Sequence, residues 1–373
     1  MLWMMEEIPY TKPSIESGDI QAVLKTLTSP QITRGKHVQA FEDAVAQVCS
    51  ANYAVAFSSG SAALSAATFA AKVRPKEMVT TTPNTFIATV APSLQIGARL
   101  HFLDIDRTTG NLNINAPIKG HFFPVHFGGI AIDMQKRTHQ GGCIIEDGAH
   151  ALGSKYPCGN KVGSCTYSDM TIFSFHPAKI ITSGEGGIVT TNDAKVFARL
   201  KTFRNNGITR DTKNFWDYDV TDATGNTHMT DIHAALALSQ LERLSSFIIK
   251  RRKLVAYYRD KLKHIPHIRL FTDAFDTISA FHLFVIQIDF KACNTSRENV
   301  MHALKNQGIT TALHYKPLYR LSLIEKKMPH LEKTFPEMEA YFQSALTLPL
   351  YVDLTEKMID AIVEKLLLAI GKR

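Results

Sequence analysis

Nowhere in the 373 residues is there a run of about 18 apolar positions, so no membrane span is expected. Residues 1–7 have neither the basic start nor the apolar core of a secretory leader. Cysteine is sparse. Cys49, Cys143, Cys158, Cys165 and Cys293 make an odd count with no C-x-x-C pair, which excludes a disulfide framework or a zinc site. Reduced thiols and a cytoplasmic location are expected, with no metal. Internal repeats and low-complexity tracts are also missing.

What remains is ordinary globular composition, 45% hydrophobic and 20% charged, in a chain long enough for two domains. The net charge of +8 raises the question of nucleic acid. However, the cations are scattered, and the densest run, Lys250-Arg251-Arg252-Lys253, falls in a helical pattern and is expected to be a solvated face. Basic surface of this kind suits an anionic small molecule; no nucleic-acid partner is expected.

Helical and strand patterns alternate up to about residue 244. Helices are expected at 19–28, 37–49, 62–73 and 85–94, and short apolar strands at 53–57, 78–82, 100–103, 120–125 and 143–146. Strands separated by helices imply an α/β fold with a mostly parallel central sheet, whose ligands lie beyond the carboxyl ends of the strands. A composition shift follows. Residues 247–265 read as a basic connecting helix, then 279–289 as a strand, 297–307 as a helix, 310–313 as a strand and 355–370 as a helix. The expected division is a large domain at 1–245 and a smaller α+β domain at 246–373.

Three segments just after strands carry chemistry. In Ser174-Phe175-His176-Pro177-Ala178-Lys179-Ile180-Ile181, a lysine stands among apolar residues, where burial would leave its amine neutral and nucleophilic. Alone, it would more often be an exposed loop lysine. In Ile145-Glu146-Asp147-Gly148-Ala149-His150, Asp147 ends a buried strand. It would serve there as a helix N-cap or as the carboxylate opposite a pyridine nitrogen. His150 reaches the same ring. Ser58-Ser59-Gly60-Ser61-Ala62 links a strand to a helix, the geometry of a phosphate cup. Phe86 is a candidate to stack on the ring, and Ser174 to add a hydroxyl to the phosphate. The set in this order points to pyridoxal 5'-phosphate.

The chain resembles the DegT/StrS-type sugar-nucleotide aminotransferases over nearly its whole length. The similarity includes residues 123–129, 226–235, 314–318 and 346–351. The resemblance implies the pyridoxal-phosphate fold type I, with Lys179 as the Schiff-base lysine, Asp147 as the pyridinium partner and His150 at the ring oxygen. It further implies Phe86 as the stacking ring and Gly60, Ser61 and Ser174 as phosphate contacts. Asn226 would reach the phosphate of a neighbouring subunit's cofactor, so that a homodimer shares its active sites. Tyr10, Gln31, Ile32 and Thr33 would line the substrate pocket, together with Tyr315 and His228. Residues 8–15, 175–182 and 203–211 resemble the branch acting in pseudaminic acid biosynthesis. That branch implies transfer from L-glutamate, leaving 2-oxoglutarate, to C4 of a UDP-linked 4-keto-6-deoxy-N-acetyl sugar. Other 4-keto-sugar transaminases (bacillosamine, legionaminic or perosamine type) remain open. A non-catalytic regulator of the same fold is disfavoured by the intact lysine, as is a sugar dehydratase, which has histidine in that place. Two departures stand out. The family usually has Asn-Tyr-Arg where this chain has Asn226-Thr227-His228, and glutamine where it has Arg34.

Overall fold

The computed structural model describes residues 7–210, 214 and 216–371; residues 1–6 and Asp211 of the stretches discussed above lie outside them. Helices α1 (Ser17–Leu27) and α2 (Lys36–Cys49) open the chain. The alternation then runs β1 (Tyr53–Phe57), α3 (Gly60–Ala70), β2 (Met78–Thr81), α4 (Ala91–Ile96) and β3 (Arg99–Phe102). Two-residue β4 (Ile118–Lys119) and β6 (His139–Gln140) flank β5 (His121–Phe123), and β7 (Ile145–Asp147), β8 (Met170–Ser174), β9 (Gly187–Thr191) and α5 (Ala194–Arg204) follow.

Strands β3, β2 and β5 pair in parallel, as do β7 and β8. Parallel bridges from Phe122 to Ile144 and from Val125 to Asp147 join the two groups. The resulting order is β3-β2-β5-β7-β8-β9-β1, in which only β9 runs antiparallel to its neighbours. Strands β7, β8 and β9 are buried almost throughout, on both faces, and they carry buried polar residues (Glu146, Asp147, Thr171, Thr190 and Thr191) among the apolar ones. The antiparallel turn from β8 into β9 was not expected. It creates the long connection that carries Lys179, since Ser174 pairs with Gly187 across its base.

The expected helix at 85–94 is instead a short 3-10 turn at Ile87–Thr89 followed by α4. Pro92, which lacks an N–H and cannot sit within a continuing helix, makes the chain restart there. Phe86 is thereby left extended, outside either helix.

After the hairpin β10 (Ile208–Arg210) and β11 (Tyr218–Val220) come α6 (Asp231–Glu242) and α7 (Leu244–Leu262). The second sheet consists of β12 (Ile268–Leu270), β13 (Phe284–Ile288) and, beyond α8 (Arg297–Lys305), α9 (Ser322–Glu325) and α10 (Pro336–Ser344), β14 (Ala345–Leu348). Helix α11 (Glu356–Ala369) closes the chain with Ile359, Ile362, Val363 and Leu366 buried. Residues 310–313 form no strand; Ala312 makes a single bridge to Thr347. Among the described residues no helix is long and apolar enough to cross a membrane.

The basic run is solvated at Lys250 and Lys253, but Arg251 points the other way. Helical spacing places Arg251 on the same side as Phe247, Leu254, Val255 and Tyr258, and it is 1% exposed. With no carboxylate at hand, its guanidinium donates to the carbonyl oxygens of Phe281, His282 and Leu350. It anchors the segment leading into β13.

Candidate active site

A cavity of about 420 Å³ opens at the carboxyl ends of β7 and β8. Lys179, Asp147, His150, Phe86, Gly60, Ser61, Ser174, Tyr10 and Tyr315 all line it. The sequence had singled out each of these nine.

Asp147 ends β7 and is 5% exposed. Thr89 donates its hydroxyl to Oδ2 at 2.7 Å, with Thr85 Oγ1 a further 2.7 Å from that of Thr89, and the Ala149 N–H donates to Oδ1 at 3.1 Å. Burial raises the carboxyl pKa, opposed by the Thr89 and Ala149 hydrogen bonds and then by the charge on Lys179. Desolvation lowers the Lys179 amine to about 8, against the pull of Asp147. The two groups therefore face each other in a dry site, one an acid that needs a cationic partner and the other an amine held near neutrality.

The His150 Nδ1 accepts the Gly128 N–H at 3.3 Å, which puts the proton of a neutral ring on Nε2, 3.2 Å from the Tyr315 hydroxyl. Burial and the charge on Lys179 hold His150 well below the usual histidine range. The His282 ring lies tilted against it at 42°, centroids 4.3 Å apart, and is likewise driven low, first by burial. His314, pushed down to about 4 by burial and Lys179, completes a set of neutral imidazoles around the amine. Thr89, His282 and His314 escaped sequence reading. Thr89 lay in a presumed helix and His282 in a presumed strand, and neither hydroxyl nor imidazole has a spacing signal there.

The turn read as a candidate phosphate cup is the N-terminus of α3. Ser59 caps α3 through the Ala62 N–H, leaving the N–H groups of Gly60 and Ser61 in the first turn, where a helix has no acceptors for them. A Cβ on Gly60 would stand 2.9 Å from the Cβ of Ser174, and one on Gly187 would stand 2.3 Å from the Ser59 carbonyl oxygen. Backbone thus approaches closely enough to cradle a phosphate. Phe86, 59% exposed, is a cavity wall, not core. Donors for a phosphate, a buried carboxylate for a ring nitrogen and an amine whose pKa burial lowers to about 8 for an aldehyde fit pyridoxal phosphate. Among the described residues no group of histidines, cysteines and carboxylates is placed to hold a metal.

Five of the remaining singled-out residues lie elsewhere in the chain. Thr33 bridges to Thr230 and the Ile32 carbonyl accepts from the Asp231 N–H, which sets Gln31, Ile32 and Thr33 against the start of α6. The Asn226 side chain accepts the His228 N–H at 3.2 Å, and Asn226 bridges to Asn205. His228 lines a second cleft, of about 510 Å³, with Arg34, Lys201, Arg204 and Arg210. Burial, then Arg204 and Arg34, lower His228 to about 4, so it is neutral at pH 7. The two departures from the family pattern, Arg34 and His228, share this cleft.

Comparison with known proteins agrees with the geometry. The DegT/DnrJ/EryC1/StrS aminotransferase family matches residues 13–367. The spore coat polysaccharide biosynthesis protein SpsC of Bacillus subtilis is 32% identical, over 96% of this chain and 95% of its own length. Helicobacter pylori PseC, an aminotransferase involved in the biosynthesis of pseudoaminic acid, superposes with a TM-score of 0.89 at 26% identity, covering 98% of this chain and 100% of its own. The sugar aminotransferase Spr1654 of Streptococcus pneumoniae, in its PMP form, gives 0.88 at 26% identity, with 98% and 99% covered.

Proposed function

The chain belongs to the DegT/DnrJ/EryC1/StrS aminotransferase family and is a pyridoxal-phosphate-dependent sugar aminotransferase; on that premise we propose that it moves the amino group of L-glutamate to C4 of a UDP-linked 4-keto-6-deoxy-N-acetyl sugar, as in pseudaminic acid biosynthesis. The observation that carries this reading is the pairing of the Lys179 amine with the desolvated Asp147 in one cavity. When bound, pyridoxal phosphate supplies an aldehyde to exchange amines and a protonated ring to draw electrons.

Each residue then has a task. The carboxylate of Asp147, aligned by Thr89, would hold the proton on the ring nitrogen. The first turn of α3, with Ser174, would take the phosphate. His150 would be a neutral donor through Nε2, and Phe86, on the cavity wall, would cover one face of the ring. The Nζ of Lys179 would hold the cofactor at rest and, once freed, would serve as the base and acid that moves a proton from the donor's α-carbon. Its value near 8 leaves it able to do both at neutral pH.

The second cleft is the part of the proposal that calls for two copies of the chain. In a twofold dimer Asn226 would reach the other subunit's phosphate, and the substrate strip at Gln31, Ile32 and Thr33 would complete its pocket. Exposed Ile20, Leu24 and Leu27 on α1, with Tyr218 and Val220 on the hairpin, give apolar surface for such an assembly. A cytoplasmic location suits reactants of this kind. A second reading, favoured by the 32% identity to SpsC, is a transaminase for a spore-coat sugar. Mass spectrometry of the products from glutamate and a panel of nucleotide-linked 4-keto sugars tests the first reading. Amination of the UDP-linked N-acetyl sugar supports it, and amination of only the other nucleotide sugars contradicts it.

A further inference from the structure

We propose that Glu146, held by His126 and Tyr156, is a positioning residue: it secures the loop at residues 124–129 that presents Asp147 and His150 to the cofactor, and its buried charge acts on the cofactor ring.

Glu146 precedes Asp147 in β7, so the two side chains leave opposite faces of the strand. Glu146 is wholly buried, and so is His126. The His126 Nδ1 accepts the Ile132 N–H at 3.1 Å, which puts the ring proton on Nε2, 2.6 Å from Glu146 Oε2. The Tyr156 hydroxyl donates to the same oxygen, and that of Thr171 donates to Oε1 at 3.4 Å. The other titratable groups of this cluster are the thiols of Cys165 and Cys49, which neighbour Tyr156. Among the described residues Glu146 has no lysine or arginine partner. Burying a carboxylate without one costs several kcal/mol, and an apolar residue would fill the space more cheaply. The charge therefore calls for a use.

The use lies in what His126 is tied to. Its N–H donates to the Asp147 carbonyl oxygen, and the Asp147 N–H donates to that of Pro124, so loop and strand end grip each other. Two residues on, Gly128, in the left-handed region at φ 63°, gives its N–H to His150 Nδ1 and takes the His282 N–H on its carbonyl oxygen. One buried carboxylate thus anchors the loop that orients Asp147 through its backbone and sets the tautomer of His150. On the cavity side, the charged or titratable groups besides Asp147 are Lys179, Glu185, His150, His176, His282, His314, Tyr10 and Tyr315.

The proposal rests on the cavity holding pyridoxal phosphate through Lys179. Its test is a pH titration of the visible absorbance of the loaded protein, with thermal unfolding of the cofactor-free protein in parallel. Removing the negative charge in Glu146→Gln lowers the titration midpoint by about one unit, because that charge favours the protonated chromophore. Tyr156→Phe keeps the charge and removes a donor that offsets it, so the midpoint rises by a smaller amount. If Glu146→Gln fails to fold, Tyr156→Phe decides alone. Midpoints unchanged from wild type in the folded variants, whatever the loss in unfolding temperature, would overturn the proposal and leave a merely structural network. A wild-type protein with no pH-sensitive absorbance would instead overturn the reading of the cavity itself.

Discussion

At the scale of the residue, everything turns on how dry the Lys179 amine is. An amine titrating at about 8 is one-half neutral at that pH, whereas an ordinary lysine, near 10.4, is almost wholly charged. Only the neutral form attacks an aldehyde. The rate at which cofactor-free protein captures pyridoxal phosphate, followed by stopped-flow absorbance, should rise with pH and level off with a midpoint near 8. A rate still climbing at pH 10 would mean that the cavity is wet. The sequence made Lys179, Asp147 and His150 legible, because Lys179 stands among apolar residues, Asp147 ends a buried strand with His150 three residues on, and the family resemblance gave all three a role. It could not reveal Thr89, His282 or His314. Their importance comes from elements that converge in space, and a threonine or histidine in a loop carries no period to notice.

The cofactor's phosphate is an affair of elements. Helix α3 starts at Gly60 because Ser59 caps it, and Gly60 lies so close to Ser174 on β8 that a methyl group would collide. Gly60→Ala should therefore raise the dissociation constant for pyridoxal phosphate at least tenfold, or about 1.4 kcal/mol, as read by fluorescence titration. The unfolding temperature without cofactor should fall as well, since the methyl group must displace Ser174, so the affinity is compared at a temperature where the variant is folded. Equal affinity would show that the first turn of α3 does not carry the phosphate. Most elements were readable from periodicity, and the exceptions have causes. Pro92 split the helix expected at 85–94. Strands β8 and β9 were not picked out at all, since Met170–Ser174 and Gly187–Thr191 mix apolar residues with threonine, serine and glycine and carry no clear period. Arg251 looked solvated because charge patterning ignores backbone carbonyls, and three of these receive its guanidinium.

For the whole molecule, the singled-out residues fall into two groups, one around Lys179 and one around His228. The family resemblance had implied this division for Asn226, which it assigned to a neighbouring subunit's cofactor. Two copies would reconcile them, and subunit mixing tests this. Lys179→Ala and Asn226→Ala proteins should each be nearly inactive. Refolded together in equal amounts, they should recover about one quarter of wild-type activity, because half the dimers are hybrids and each hybrid has one intact site. No recovery would place Asn226 and Lys179 in the same subunit's site.

The central claim is that Lys179 is the residue to which pyridoxal phosphate attaches, and borohydride reduction of the loaded protein tests it most directly. Peptide mass mapping after reduction should find one pyridoxyl group, on Lys179. A pyridoxyl group on another lysine, or on none, would contradict the account.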